Sequence, residues 1–217
     1  MKIGVIIPDR GDRPEFLRNC IRMMEAQKVK PSDIYVVGHA PTDESCDITK
    51  RYRIGYEFFR GKGFDLLSFI ENDDAYTSDY FEVMSRLWLN NGSPDIFGTN
   101  YTIYYHLKLN AWHKYLHDRR ASAMNTFIKP DLDIEWCSDS YPYTDLHLWS
   151  KLKGIAVDPG KLISIGMKHG TGMCGGAYHT DRLNRFVNND SNKSFLKRSL
   201  DTESFKFYSK FSNEIKE

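Results

Sequence analysis

Three acidic residues fall within four positions of 69-FIENDDAY-76: Glu71, Asp73 and Asp74, with Asn72 among them. Like charges this close repel, so a fold that keeps them together needs something to offset the repulsion. A divalent cation does this with suitable chemistry. Mg²⁺ and Mn²⁺ take hard oxygen ligands, typically one or two carboxylates completed by substrate phosphates. In an extended segment residues two apart point the same way, which lets Glu71 and Asp73 share one ligand. The competing reading is a solvated acidic turn. The apolar run 64-FDLLSFI-70 directly before the acids weighs against it.

Three more stretches carry reactive residue types. In 8-PDRGDRP-14, two arginines and a glycine ahead of a helix suit phosphate or a nucleobase edge. An ordinary helix start, with Asp12 as cap and Pro14 in the first turn, explains the same residues. In 168-KHGTGMCGG-176, glycines admit close backbone approach, Lys168 suits a diphosphate, and a neutral His169 can ligate a metal. The spacing is not that of a P-loop. Asp145 in 143-YTDLHLW-149 opens an amphipathic helix, where the dipole favours a carboxylate in any protein. Its functional reading is a general base, provided the helix start faces the acidic stretch. His113 and His117 lack the glutamate of H-E-x-x-H and read as rim or surface residues rather than a zinc site.

The elements that must position these residues follow from hydrophobic periodicity. The run 2-KIGVIIP-8 reads as a buried parallel strand. Phe16, Leu17, Cys20, Ile21 and Met24 mark one face of the helix after it. A strand at 34–38, a helix at 49–60, the strand at 64–70 and a helix from Thr77 or Ser78 to Asn91-Gly92 complete a β-α-β-α-β-α pattern. Such open sheets bind ligands at the carboxyl ends of their strands, where the acids stand. Beyond residue 95 we expect two extended segments in 95–107, a helix over 141–153 stopped by Gly154, and a strand over 161–167. The run 188-NNDSNKS-194 reads as mobile, and 200–212 as a short packing helix.

The 217 residues, 41% hydrophobic and 14% aromatic, suffice for a sizeable core. Lys plus Arg is 30 and Asp plus Glu 29, a net charge of +1 that argues against a broad nucleic-acid or membrane-surface field. No run approaches the ~18 apolar residues of a membrane span. Cys20, Cys46, Cys137 and Cys174 form no C-x-x-C pair, the pattern of scattered thiols in a cytoplasmic protein.

Taken in order, IPDRGDRPEFL, LLSFIENDDAYTSDY, YTDLHLW and IGMKHGTG resemble a GT-A-fold glycosyltransferase of the family-2-like kind, over about residues 1 to 180. The resemblance implies an α/β fold with an open, mostly parallel sheet and flanking helices. It implies one domain: a nucleotide-sugar half over 1–100, a smaller acceptor half over 101–180, and a partly helical tail over 181–217. It further implies transfer of a sugar from a nucleotide-diphosphate donor, a UDP-sugar foremost, to a hydroxyl acceptor, with Mn²⁺ or Mg²⁺. The family's D-x-D acids fall on Glu71 and Asp73, with Asp73 the likelier metal ligand of the two and Glu71 open to ribose or a metal-bound water. Asp145 falls where inverting members keep their base, and His169 on a histidine that completes the metal site in some. Pro8, Asp9, Arg10, Arg51 and Asn72 are expected with Asp73 around the nucleotide, and Lys168 and Asp74 near diphosphate or acceptor. The family's acid after the second strand is absent from VVGHAPTD, which leaves the base to Arg10, Arg51 or Asp43. A sugar nucleotidyltransferase and a non-catalytic nucleotide- or sugar-binding module are the alternatives.

Overall fold

The computed structural model describes residues 1–40, 46–170 and 182–212. Strand β1 (Ile3–Asp9) is buried at every position, as its unbroken apolar run requires. Helix α1 (Pro14–Glu25), strand β2 (Asp33–Gly38), helix α2 (Ile48–Phe59) and strand β3 (Leu66–Phe69) follow. β2 and β3 lie parallel to β1 on its two sides. After the acids come strand β4 (Ala75–Tyr76), helix α3 (Tyr80–Asn90), strands β5 (Ile96–Thr99), β6 (Tyr101–His106), β7 (Ala111–Leu116) and β8 (Thr126–Ile128), and helix α4 (Thr144–Lys151). Strands β9 (Gly154–Val157), β10 (Ser164–Lys168) and β11 (Asn188–Asn189) and helices α5 (Ser194–Ser199) and α6 (Thr202–Ser209) complete the chain.

The result is α/β: a six-stranded, mostly parallel sheet in the order β2-β1-β3-β8-β5-β9, with flanking helices. Only β8 runs antiparallel to its neighbours β3 and β5. A five-stranded sheet, β11-β7-β6-β10-β4, stands beside it. Alternate side chains of β1 sort into two cores, as a two-residue period dictates. Ile3, Val5 and Ile7 pack with α1, α3 and the second sheet, and Ile6 packs with α2 and α4. α2 approaches β1 closely at Gly55, where a Cβ would stand 2.2 Å from the Ile6 methyl. Among the described residues no helix is long and apolar enough to cross a membrane.

Several expectations need correction. Asp12 does not cap α1. Arg13 holds the N-cap position without a side-chain cap bond, and Asp12 pairs with Arg13 instead. Gly154 opens β9 rather than merely stopping a helix, because its bare Cα lets the chain run against Ile96 and Trp149. The run 188–194 is structured. Asn188 and Asn189 pair with β7, and the Asp190 carboxylate accepts the N–H groups of Phe195 and Leu196 at the start of α5. β7, β8 and β9 were not expected: β8 and β9 are only three and four residues long, and β7, AWHKYL, is exposed over its second half and carries little apolar alternation. His117 is not a surface residue. It is buried, with Nε2 2.9 Å from the Thr102 hydroxyl, and burial pushes its imidazole down to about 4.

Candidate active site

The carboxyl ends of β1 and β3 form one wall of the site. β1 ends at Asp9, and Gly11, at φ +76°, turns the chain back toward α1 while its N–H bonds Asp9 Oδ2 at 3.0 Å. That turn separates the two arginines. Arg10 lies 3.8 Å from Asp47. Arg13 crosses to the acidic stretch, where its guanidinium bonds Asp73 and reaches Asn72 Oδ1 at 3.4 Å.

Residues 71–74 form a turn, not an extended segment: the Asp74 N–H bonds the Glu71 carbonyl at 3.3 Å. The turn brings in a third acid that alternation would have left out. Glu71, Asp73 and Asp74 each present an oxygen within 4.8 Å of the others. Asn72 lies beside them: the Arg13 guanidinium reaches its Oδ1, and its amide N–H bonds Asp9 Oδ1 at 2.7 Å. Asp74 is buried and accepts the Met167 N–H at 2.7 Å.

The three acids differ in electrostatics. Burial, Asp73 and Asp145 together push the Glu71 carboxyl up to about 7, against the opposing charge of Lys168. Burial and the charges of Glu71 and Asp73 hold Asp74 well above the ordinary carboxylate range. For Asp73 burial also raises the value, but the His169 hydrogen bond and the Arg13 charge outweigh it and hold the carboxyl below its usual range. Asp73 is therefore the acid kept ionised.

The second sheet supplies the facing residues. Lys168 ends β10 with its amine 4.8 Å from the Tyr104 ring. His169 follows, 2% exposed, with Nε2 2.9 Å from Asp73 Oδ2 and its ring 4.5 Å from that of Phe16. Asp145, in the first turn of α4, pairs with Arg120 at 2.7 Å. Burial raises its carboxyl, partly opposed by Arg120. Its charge raises the Glu71, Tyr52 and Tyr104 groups, so Asp145 lies within electrostatic reach of the acidic turn.

Asp9, Asn72, Asp73, Glu71, Asp74, Lys168 and His169 thus meet, with Asp145 close by and Pro8 in the strand behind. Arg51 is placed differently from the expectation of a base contact. It is 1% exposed, and it donates to the carbonyls of Asp9, Val37 and His39 and to Asp47 Oδ2, so it clamps the ends of β1 and β2 from beneath. Asp43 and residues 171–176 of the glycine-rich stretch lie outside the described residues.

Two contributors were not singled out from sequence. Arg13 belonged to the quoted 8-PDRGDRP-14, but only the turn at Gly11 decides which arginine faces the acids. Tyr208 comes from α6: its hydroxyl bonds the Asp74 carbonyl at 2.9 Å and reaches the Asp73 carbonyl at 3.3 Å. Phe207 and Phe211 pack on Phe16, which in turn carries His169. A cavity of about 320 Å³ lined by Cys137, Ser138, Tyr141, Leu146, His147 and Ser150 is separate. At ~100° per residue its α4 members fall on the helix face away from Asp145.

No protein-family model and no curated protein matches this sequence. Solved structures do match. The crystal structure of S. aureus TarS 1-349 in complex with UDP-GlcNAc aligns with TM-score 0.55 at 11% identity, covering 81% of this chain and 60% of that one. The complex of TarS 1-349 with UDP aligns with TM-score 0.50 at 11% identity over 77% of this chain and 60% of that one. The chain has a GT-A fold. In this GT-A sheet, the turn after β3 carries Glu71-Asn72-Asp73 where the sequence resemblance sets the D-x-D motif.

Proposed function

We propose that this chain transfers a sugar from a nucleoside-diphosphate sugar, a UDP-sugar foremost, to a hydroxyl acceptor, with Mn²⁺ or Mg²⁺ at the acidic turn. The observation that carries the reading is the convergence of Glu71, Asp73 and Asp74 at the carboxyl end of β3 in a GT-A fold, with Asp145 close enough for its charge to raise Glu71. The donor set fits the ion: carboxylate oxygens of one turn, mutually close, with Asp73 kept ionised. Asp73 would hold the cation, with Glu71 and His169 beside it. When bound, the cation supplies positive charge against the leaving diphosphate.

The chain's own residues do the rest. Lys168 adds a fixed positive charge next to the acids, favouring a negative diphosphate there. Asp9 and Asn72 fix each other and shape the floor under the nucleotide. Asp145 takes the proton of the acceptor hydroxyl as it attacks the anomeric carbon, and its raised pKa moves it toward a base effective near neutral pH. Arg120 orients that carboxylate. A single displacement of this kind inverts the anomeric centre. Donor binding falls to residues 1–100 and acceptor binding to 101–180.

The test is a melting scan with UDP, in Mn²⁺ and in chelator. A ligand at about 100 times its Kd adds about 2.7 kcal/mol. That gain should appear with Mn²⁺ only, and Asp73→Asn should remove it. Equal stabilisation in chelator would overturn the metal-assisted reading.

A further inference from the structure

The Arg13 guanidinium stands where a cation shared by Asp73 and His169 would bind. Arg13 Nη1 hydrogen-bonds Asp73 Oδ2 and lies 3.3 Å from His169 Nε2. Those two atoms are themselves 2.9 Å apart. A metal ion serving both would sit about 2 Å from each, in the space that Nη1 now fills. Asp73 Oδ2 already meets both Arg13 Nη1 and His169 Nε2, so an ion bridging Asp73 and His169 has to displace the guanidinium from that position.

A second acid stands beside the same side chain: Asp12 Oδ1 lies 3.5 Å from Arg13 Nε while Nη1 holds Asp73, and Asp12 is half exposed, so Asp12 remains as a partner if Asp73 is given up. The Arg13 backbone sits at the N-cap of α1, so release needs only side-chain rotation. The Phe16 ring lies 5.9 Å from the guanidinium and offers it an aromatic face.

We propose that Arg13 is an internal cation that competes with a divalent ion for Asp73 and His169, and that metal entry frees it to meet the incoming diphosphate. The second half rests on the transferase reading. The first half rests on the metal reading of the same acids, tested by Mn²⁺ alone, and on the position of Nη1 between Asp73 and His169. It also gives the site a resting state in which Asp73 is paired with the chain's own side chain.

The experiment is calorimetric titration with MnCl₂ alone, on the whole chain and on Arg13→Gln. The variant should bind Mn²⁺ at least about tenfold more tightly, the change that removing roughly 1.4 kcal/mol of opposition produces. Arg13→Lys, which keeps the charge, should stay nearer wild type. Arg13→Met, which keeps an apolar stem against Phe16, gives the same reading should the glutamine variant fail to fold. With Mn²⁺ saturating, Arg13→Gln should bind UDP more weakly than wild type. Unchanged or weaker Mn²⁺ binding by the variants, or none by any protein, overturns the competition. Metal-dependent UDP binding together with unaltered Mn²⁺ affinity would leave the transferase reading intact and remove this inference. Tighter Mn²⁺ binding with no UDP binding by either protein would do the reverse.

Discussion

The acidic turn and the start of α4 carry carboxylates whose charges act on one another, but they are held in opposite ways. The turn is braced from several elements: Arg13 from the β1–α1 connection, His169 and the Met167 N–H from β10 and its end, and Tyr208 from α6. Asp145 has one side-chain partner among the described residues, Arg120, and the first turn of a short helix. The turn must hold several like charges together, which repel unless each is fixed against an opposite charge or a backbone donor. A base needs one carboxylate with a lone pair left for a proton. Heavy bracing suits an anion- and metal-binding floor, and a single ion pair suits a group that changes its charge during a reaction.

Substitutions can break or sharpen this contrast. The largest effect belongs to Asp145→Asn. The amide keeps the shape and still accepts a hydrogen bond from Arg120, but it takes no proton. Transfer to acceptor should fall by about 10²- to 10⁴-fold, while folding and UDP binding stay near wild type. Steady-state transfer assays beside a UDP titration decide this. Near-normal transfer would remove Asp145 from the chemistry and leave it a helix-end residue.

Next comes Tyr208→Phe, which probes the bracing. It deletes a buried hydroxyl donor and strips the Asp74 carbonyl of that bond, a loss of about 1–2 kcal/mol. For a chain of this size that lowers Tm by roughly 2–8 °C. If α6 positions the turn, Mn²⁺ affinity should fall as well. A lowered Tm with Mn²⁺ affinity intact would mean that α6 supports the fold without shaping the site.

The smallest effect is a pH slope. Glu71 titrates near 7 in the folded chain, above the ordinary 4.5. Between those values the folded state retains a proton that the unfolded chain releases, so the metal-free protein loses stability as pH rises through that window. Glu71→Gln should flatten this part of the profile. The effect is modest because Glu71 is partly exposed and water screens it. An unchanged profile in chemical denaturation at pH 5 and pH 7.5 would show that Glu71 is already ionised at the lower pH.

What the sequence determined by itself is the framework and the chemistry's address. Continuous apolar runs in β1 and β3 and one-sided periodicity in α1 to α3 are local signals, so the α/β order could be read without a partner in view. Acids placed directly after β3 reach the ligand-binding edge of a parallel sheet by topology alone. Glu71 and Asp73 could be named for that reason, Lys168 and His169 from the glycine-rich stretch after β10, and Asp9 and Asn72 only through the family resemblance. Tertiary structure decided the rest. Whether Arg10 or Arg13 faced the acids depended on the turn at Gly11. Whether Arg51 reached into the cleft or sealed beneath it depended on how closely α2 packs on β1 at Gly55. That Asp74 joins the cluster depended on a reverse turn, and that Tyr208 braces it depended on α6 packing against α1 across most of the chain's length. Contacts of that kind join residues far apart in sequence, and no local pattern of residue types records them.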